Sequence, residues 1–304
     1  MKNKVSFILI SVLVLVLVCG GLIFADAPTI KLAYNSLPFN LPSLIEHEMG
    51  FIAQEGYKVE YNSFLVGHAM TEAMATGDLE IAPVMGGTST IVSKAGGRDI
   101  KVIGVYSQAP SAFALVAKPG VLDLTQLKGK KIAVPVGTEV HVLLGKILNE
   151  QGLTFADVEI VNLLVPDGVT ALQSKQVDAA MVVEPVMTKL STAGQIEVLR
   201  DGEGLIAGIT LSVVPTKLKS SDKVAAFKRA QAKSVKYLND NTDQVLALAV
   251  KELDLPPKVV ETVAKKYTFG PELTSEMRAE LDETIQFLFE QGLINKRISV
   301  DDLF

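Results

Sequence analysis

Leu127-Lys128-Gly129-Lys130-Lys131-Ile132-Ala133-Val134-Pro135-Val136-Gly137-Thr138-Glu139-Val140-His141 decides how the chain is built. A basic turn leads into a short buried strand, Lys131 to Val134. Pro135 has no N–H for a ladder, so the strand stops there. Gly137 permits a tight corner, and Thr138 suits a helix N-cap. Val140, Leu143, Leu144, Ile147 and Leu148 then recur at helical spacing, and Gly152 closes the helix. Such a corner points free N–H groups and the positive end of a helix dipole out of a strand's carboxyl end, which suits a negative or polar ligand group. The same geometry also serves an ordinary strand-to-helix turn.

Working outward, the same alternation recurs. Before the corner, strands are expected at Thr29 to Tyr34, Tyr57 to Asn62, Leu79 to Val84 and Ile100 to Val105. Helices are expected between them, at Leu41 to Gly50, His68 to Thr76 and from Ser89, after a Met85-Gly86-Gly87-Thr88 turn. That rhythm predicts an α/β fold, a mainly parallel sheet with helices on both faces. It breaks at the polar, Pro-containing Tyr106 to Ser111, and a second α/β series follows. Its loops include Leu164 to Gly168 and the Glu184-Pro185 corner. Gly204 to Val213 is extended, with a second crossing near residues 206–213, and from Ser221 onward the chain is helical, with a short tail at Asp301 to Phe304. Two series joined at two crossings predict a hinged clamp with a ligand between lobes.

The chain of 304 residues is long enough for two such lobes. With 29 Lys and Arg against 34 Asp and Glu, and no dense basic run, a nucleic-acid partner is not expected. Residues 1–25 combine Lys2 and Lys4, an apolar run and small residues before a polar segment, the pattern of a secretory signal peptide cut after Ala25. A lipid anchor at Cys19, despite a poor lipobox, and an uncleaved membrane anchor are the alternatives. Cys19 is the sole cysteine, so no disulfide is expected. No metal constellation is legible: His47, between Glu46 and Glu48, lacks a second His four residues on. No cofactor is expected.

Several residues are candidates for ligand contact on their own chemistry. Gly86 and Gly87 let a ligand approach the backbone, and Thr88 follows with a hydroxyl. Thr138 either caps its helix or meets ligand. His141, on the first helical turn, either donates to a ligand oxygen or is a satisfied, half-buried histidine. Glu184 either binds an amine or N–H of the ligand or holds the hinge, and Asp167 is a turn residue or a contact. Tyr106, Phe64 or Phe39 could supply an aromatic wall, or belong to the core.

The phrases Gly77-Asp78-Leu79-Glu80-Ile81-Ala82, Leu127 to Val134, and Val177-Asp178-Ala179-Ala180-Met181-Val182-Val183-Glu184-Pro185 resemble the solute-binding proteins of ABC importers. The nearest subgroup takes sulfonates, taurine, nitrate and thiamine-precursor pyrimidines, and the resemblance runs from about residue 29 to about 290. It implies a type II periplasmic-binding-protein fold. Residues 26–109 and 211–304 would form the first lobe, and 110–210 an inserted second lobe. It also implies a non-catalytic, monomeric carrier that delivers a small-molecule ligand to a membrane permease. By position it places Asn35 and Ser36, Phe64 to Gly67, Gly86 to Thr88, Tyr106 to Gln108, Gly137, Thr138 and His141, Pro166 to Gly168, and Glu184 at the cleft. Relatives often carry a pocket Trp, and this chain has none. Glu139 stands where relatives carry a small residue. An enzyme on the same fold is the competing class, but no nucleophile–base constellation can be read here.

Overall fold

A computed structural model describes residues 27–34 and 39–304, so the leader at residues 1–25, Asn35 and Ser36 lie outside the described residues. The first series runs β1 (Thr29–Tyr34), α1 (Leu41–Met49), β2 (Lys58–Ser63), α2 (Gly67–Thr76), β3 (Ala82–Gly86), α3 (Gly87–Ala95) and β4 (Ile100–Gln108). The second runs β5 (Phe113–Ala117), β6 (Lys131–Ala133), α4 (Glu139–Glu150), β7 (Glu159–Val161), α5 (Val165–Gln173), β8 (Ala179–Val183), α6 (Val186–Thr192) and β9 (Glu197–Asp201). Then follow β10 (Ile209–Pro215), α7 (Asp222–Asp240), α8 (Thr242–Leu253), α9 (Pro257–Ala264), β11 (Thr268–Phe269) and α10 (Ser275–Glu290).

Two α/β lobes result. Among the described residues, the strands from Phe113 to Asp201 pair only with one another, in the order β7-β6-β8-β5-β9. In the other lobe β1 pairs in parallel with β2, and a four-stranded group has the order β11-β4-β10-β3. Backbone bonds from Ala33 N–H to the Ile81 carbonyl (2.9 Å) and from Ile81 N–H to the Lys31 carbonyl (3.1 Å) join the two groups. The expected, mainly parallel sheet needs correction: β10 lies antiparallel between β3 and β4. It re-enters from the second lobe beside the strand that left, so it must run against it.

That returning strand explains two further departures. Its pairing with Gly86 carries β3 to that residue, so α3 starts at Gly87 with no intervening turn. Tyr106 to Gln108, expected as a crossing loop, is the end of β4, because β10 and β11 hold it on both sides. In the second lobe α5 begins at Val165 rather than after Gly168, since Pro166 loses no helical bond in a first turn.

Other local signals act as the residue chemistry dictates. Ser221 and Thr274 accept N–H groups from Val224 (3.3 Å) and Met277 (3.2 Å), capping α7 and α10. The tail is not loose: Leu303 is buried, and its carbonyl accepts Val102 N–H at 2.7 Å. The apolar face of α4 is wholly covered, with Val140, Leu143, Leu144, Ile147 and Leu148 each at most 2% exposed. Each such side chain is worth about 1.5–3 kcal/mol of burial. Part of the cover is α10: Gly145 leaves room for the Phe287 ring, which a Cβ there would strike.

One buried acid in the first lobe gives stability a pH dependence. Glu46 of α1 is 5% exposed; Oε1 accepts Ile52 N–H at 2.9 Å, and Oε2 has no partner among the described residues. Burial pushes its pKa up to about 7, against the Ile52 and Phe51 N–H groups and Lys233. The folded protein therefore holds this proton over a range where the unfolded chain has lost it. Stability from this site is complete below about pH 4.5 and is lost as the pH rises through about 7. Glu46→Gln should flatten that slope and be the more stable protein at pH 8, by about 2 kcal/mol. Urea unfolding of both proteins at pH 5 and pH 8 checks this; parallel pH slopes would contradict it.

Candidate ligand-binding site

A cavity of about 220 Å³ lies between the lobes. From the first lobe it is lined by Leu65 to Gly67 and Met70, Val84 to Gly86, Ser89 and Thr210. From the second it is lined by Phe113, Pro135, Thr138 to Val140, Leu164 to Pro166, Val183, Glu184 and Val186. The fold explains the convergence. Gly67, Glu139, Val165 and Val186 are the first residues of α2, α4, α5 and α6, and Gly86 precedes α3. Five helices thus begin at one cavity, each with first-turn N–H groups that lack helical partners. The walls are mostly apolar, and among the described residues the lining contains no Lys, Arg or His. Leu65 (58% exposed) and Leu164 (38%) face the cavity from opposite lobes, so apolar surface is left for a ligand to cover.

The two lining carboxylates are already engaged. Glu184 is fully buried; Oε1 accepts Lys266 Nζ at 2.5 Å and the Thr188 hydroxyl at 2.6 Å, and Oε2 accepts Thr188 N–H at 3.0 Å. Glu139 crosses to the first lobe, where Oε2 accepts the Thr88 hydroxyl at 2.6 Å and the Thr88 N–H at 3.3 Å. Burial raises the Glu139 pKa, opposed by those bonds and by Lys146.

The structure brings together some of the residues singled out from sequence and separates others. Gly67, Gly86, Thr138 and Glu184 line the cavity. Gly67 also has a packing reason, since a Cβ there would lie 2.9 Å from Ser89 Cβ and 3.0 Å from Met85 Cγ. Thr138 holds the N-cap position, yet its hydroxyl donates to the Pro135 carbonyl at 2.6 Å instead of capping α4. Gly87 and Thr88 sit behind Glu139 around a smaller cavity. Phe64 packs on the main core cluster, while Gln108 is paired in β4; neither is among the lining residues.

Tyr106 is a core residue, 1% exposed, with its hydroxyl bonded to Ser43 N–H (2.9 Å) and Ser43 Oγ (2.8 Å). His141 is turned into the second lobe against Phe155, with ring centroids 4.8 Å apart. Its Nδ1 accepts Gly137 N–H at 3.2 Å, and burial lowers its pKa to about 4, so it is neutral at physiological pH. Gly137 has φ of +78°, a left-handed corner that glycine accepts freely, and does not line the cavity. Asp167 is exposed on the first turn of α5, away from the lining.

Ser89, Phe113, Val140, Leu164, Val183 and Thr210 line the cavity without having been singled out. Thr210 arrives from the returning strand, more than a hundred residues from its hydroxyl partner Ser107 (2.7 Å).

The lobes are joined where β4 leaves and β10 returns. Ala109 N–H bonds the Gly208 carbonyl at 3.0 Å, and Gly202 N–H bonds the Phe113 carbonyl at 3.0 Å, so the crossings run side by side.

Residues 39–245 match a family described as NMT1/THI5 like. The chain is 29% identical over 273 residues to a putative aliphatic sulfonates-binding protein of Bacillus subtilis, covering 86% of this chain and 82% of that protein. It is 28% identical over 286 residues to the taurine-binding periplasmic protein of Escherichia coli, covering 89% of each. Among solved structures, the alkanesulfonate-binding protein SsuA from Xanthomonas axonopodis pv. citri, bound to MOPS, superposes with a TM-score of 0.81 at 21% identity, covering 91% of this chain and 98% of that one. The periplasmic aliphatic sulphonate binding protein SsuA from Escherichia coli gives 0.79, also at 21%, covering 92% of each. These structures share the two-lobed fold.

Proposed function

Since the chain belongs to the NMT1/THI5-like family, we propose that it is the extracytoplasmic solute-binding component of an ABC importer. It captures a small organic solute of the sulfonate type between its lobes and hands it to a membrane permease. The observation that carries this is the apolar cavity at which five helices begin. Helix dipoles and the first-turn N–H groups that Glu139 and Glu184 do not occupy offer an anionic head group its donors, and the walls take a hydrocarbon body. The names of the sulfonate-binding and taurine-binding relatives support that solute class.

Residues 110–210 act as the inserted lobe and turn against 26–109 and 211–304 about the paired crossings. The leader-like residues 1–25 support export, and among the described residues no helix is long and apolar enough to cross a membrane. The protein works as a monomer and as a carrier rather than an enzyme. Most of the polar side chains that line the cavity are engaged within the protein: Glu184 with Lys266, Glu139 with Thr88, Thr138 with the Pro135 carbonyl and Thr210 with Ser107.

Titration calorimetry on denatured and refolded protein, freed of carried-over solute, tests this. Straight-chain alkanesulfonates should bind about fourfold more tightly per added methylene until the cavity fills, at ~0.8 kcal/mol each. Taurine, which offers the walls only two methylenes and adds an ammonium, should bind more weakly than hexanesulfonate. No binding by any sulfonate, or taurine binding best, would overturn the proposal.

A further inference from the structure

Glu139 lies where the ligand cavity meets the smaller one behind it, and it lines both. Its side chain leaves α4 in the second lobe and reaches Thr88 in the first. Thr88 is the second residue of α3, so the N–H it donates to Glu139 is one of that helix's unpaired first-turn donors. A carboxylate of the protein itself is therefore seated where an anionic head group would find donors. Burial disfavours its charge, while the bonds from Thr88 and the ammonium of Lys146, which lines the same small cavity, favour it. Lys146, also of α4, donates to the Leu205 carbonyl at 2.7 Å and pairs with Glu283 of α10 at 3.7 Å. Glu280 of α10 faces the same small cavity, and burial and the nearby Glu139 raise its pKa against Lys146. Glu184, by contrast, is matched by Lys266.

We infer that Glu139 is the specificity-determining residue of the cleft, an internal anion that competes with an anionic solute for the end of α3 and walls off the polar recess behind it. This rests on the solute-binding function proposed above. Two like charges in one poorly hydrated cleft repel, so a solute's anionic head must either displace the Glu139 carboxylate or stop short of α3. Glu139→Ser removes the competing charge and opens the cleft toward Thr88 and Lys146. Glu139→Gln keeps the size and the bond from Thr88 but drops the charge.

Calorimetric titrations of wild type, Glu139→Ser and Glu139→Gln with hexanesulfonate, and with neutral 1-hexanol as a probe of equal chain length, test the inference. Glu139→Ser should bind hexanesulfonate about tenfold more tightly than wild type, or ~1.4 kcal/mol. Glu139→Gln should show part of that gain, and 1-hexanol should change less than about threefold for both. If wild type binds hexanesulfonate and both folded variants bind it no more tightly, the role of Glu139 falls and the solute-binding function stands. An equal gain for 1-hexanol would mean enlargement rather than charge, and would also overturn it. If none of the three proteins binds any sulfonate, both proposals fall together.

Discussion

Glu184→Ala is expected to lower the unfolding free energy by about 3 kcal/mol, among the largest losses from one polar side chain in this protein. Glu184 has no exposed surface and holds three donors, Lys266 Nζ and the hydroxyl and N–H of Thr188. Removing it leaves the Lys266 ammonium facing the Ser111 carbonyl alone, at 3.3 Å, and strips the first turn of α6 of its acceptor. Breaking a buried pair from one side costs about 3–5 kcal/mol. The lower figure applies because the Lys266 side chain keeps 23% of its surface in water. The pair also joins the inserted lobe to the segment before β11, so the loss should appear as one cooperative shift of the whole transition. Glu184→Ala/Lys266→Met should recover part of it, since the second change removes the orphaned charge. Urea unfolding measures both; a loss below about 1 kcal/mol for Glu184→Ala would show that the pair is not a structural brace.

The second large effect lies at the returning crossing. Gly208 has φ of +58°, and a Cβ there would stand 2.6 Å from the carbonyl carbon and oxygen of Ala109 and 2.7 Å from Pro110 N. Those atoms are backbone and cannot rotate away. Moving them breaks the bond from Ala109 N–H to Gly208, which holds the two crossings together. Gly208→Ala should therefore cost about 3–5 kcal/mol, the left-handed conformation supplying about 1–2 kcal/mol and the collision the rest. Gly204→Ala, four residues earlier at φ of +73° with open space around it, is the matched control. It should cost only about 1–2 kcal/mol, for the conformation alone. Equal losses at the two positions would remove the case for a closely packed crossing.

Much of the fold was legible because its elements carry local signals. The Lys131 strand, the apolar face of α4 and the caps at Ser221 and Thr274 are each set by residues within a few positions of one another. The antiparallel β10 was not legible, because its direction follows from a partner strand a hundred residues earlier. The site divided in the same way. Gly86, read as a glycine that lets a ligand approach the backbone, and Gly67, placed by the resemblance, both lie in the cavity lining. The conspicuous polar and aromatic residues misled: His141 and Tyr106 satisfy themselves inside the core, and Asp167 faces water. The walls are instead ordinary Leu, Val, Met and Phe side chains, which no local pattern distinguishes from core. Glu139 stood out in the sequence as a charge beside the corner, but its bond to Thr88 depends on how the lobes meet.

The most direct test of the central claim, that an apolar-bodied solute fills the cavity between the lobes, is the heat-capacity change of hexanesulfonate binding to the refolded protein, from titrations at several temperatures. Burial of the alkyl chain and of Leu65 and Leu164 predicts one site per chain and a clearly negative change. Binding with a heat-capacity change near zero, or no binding at all, would contradict it.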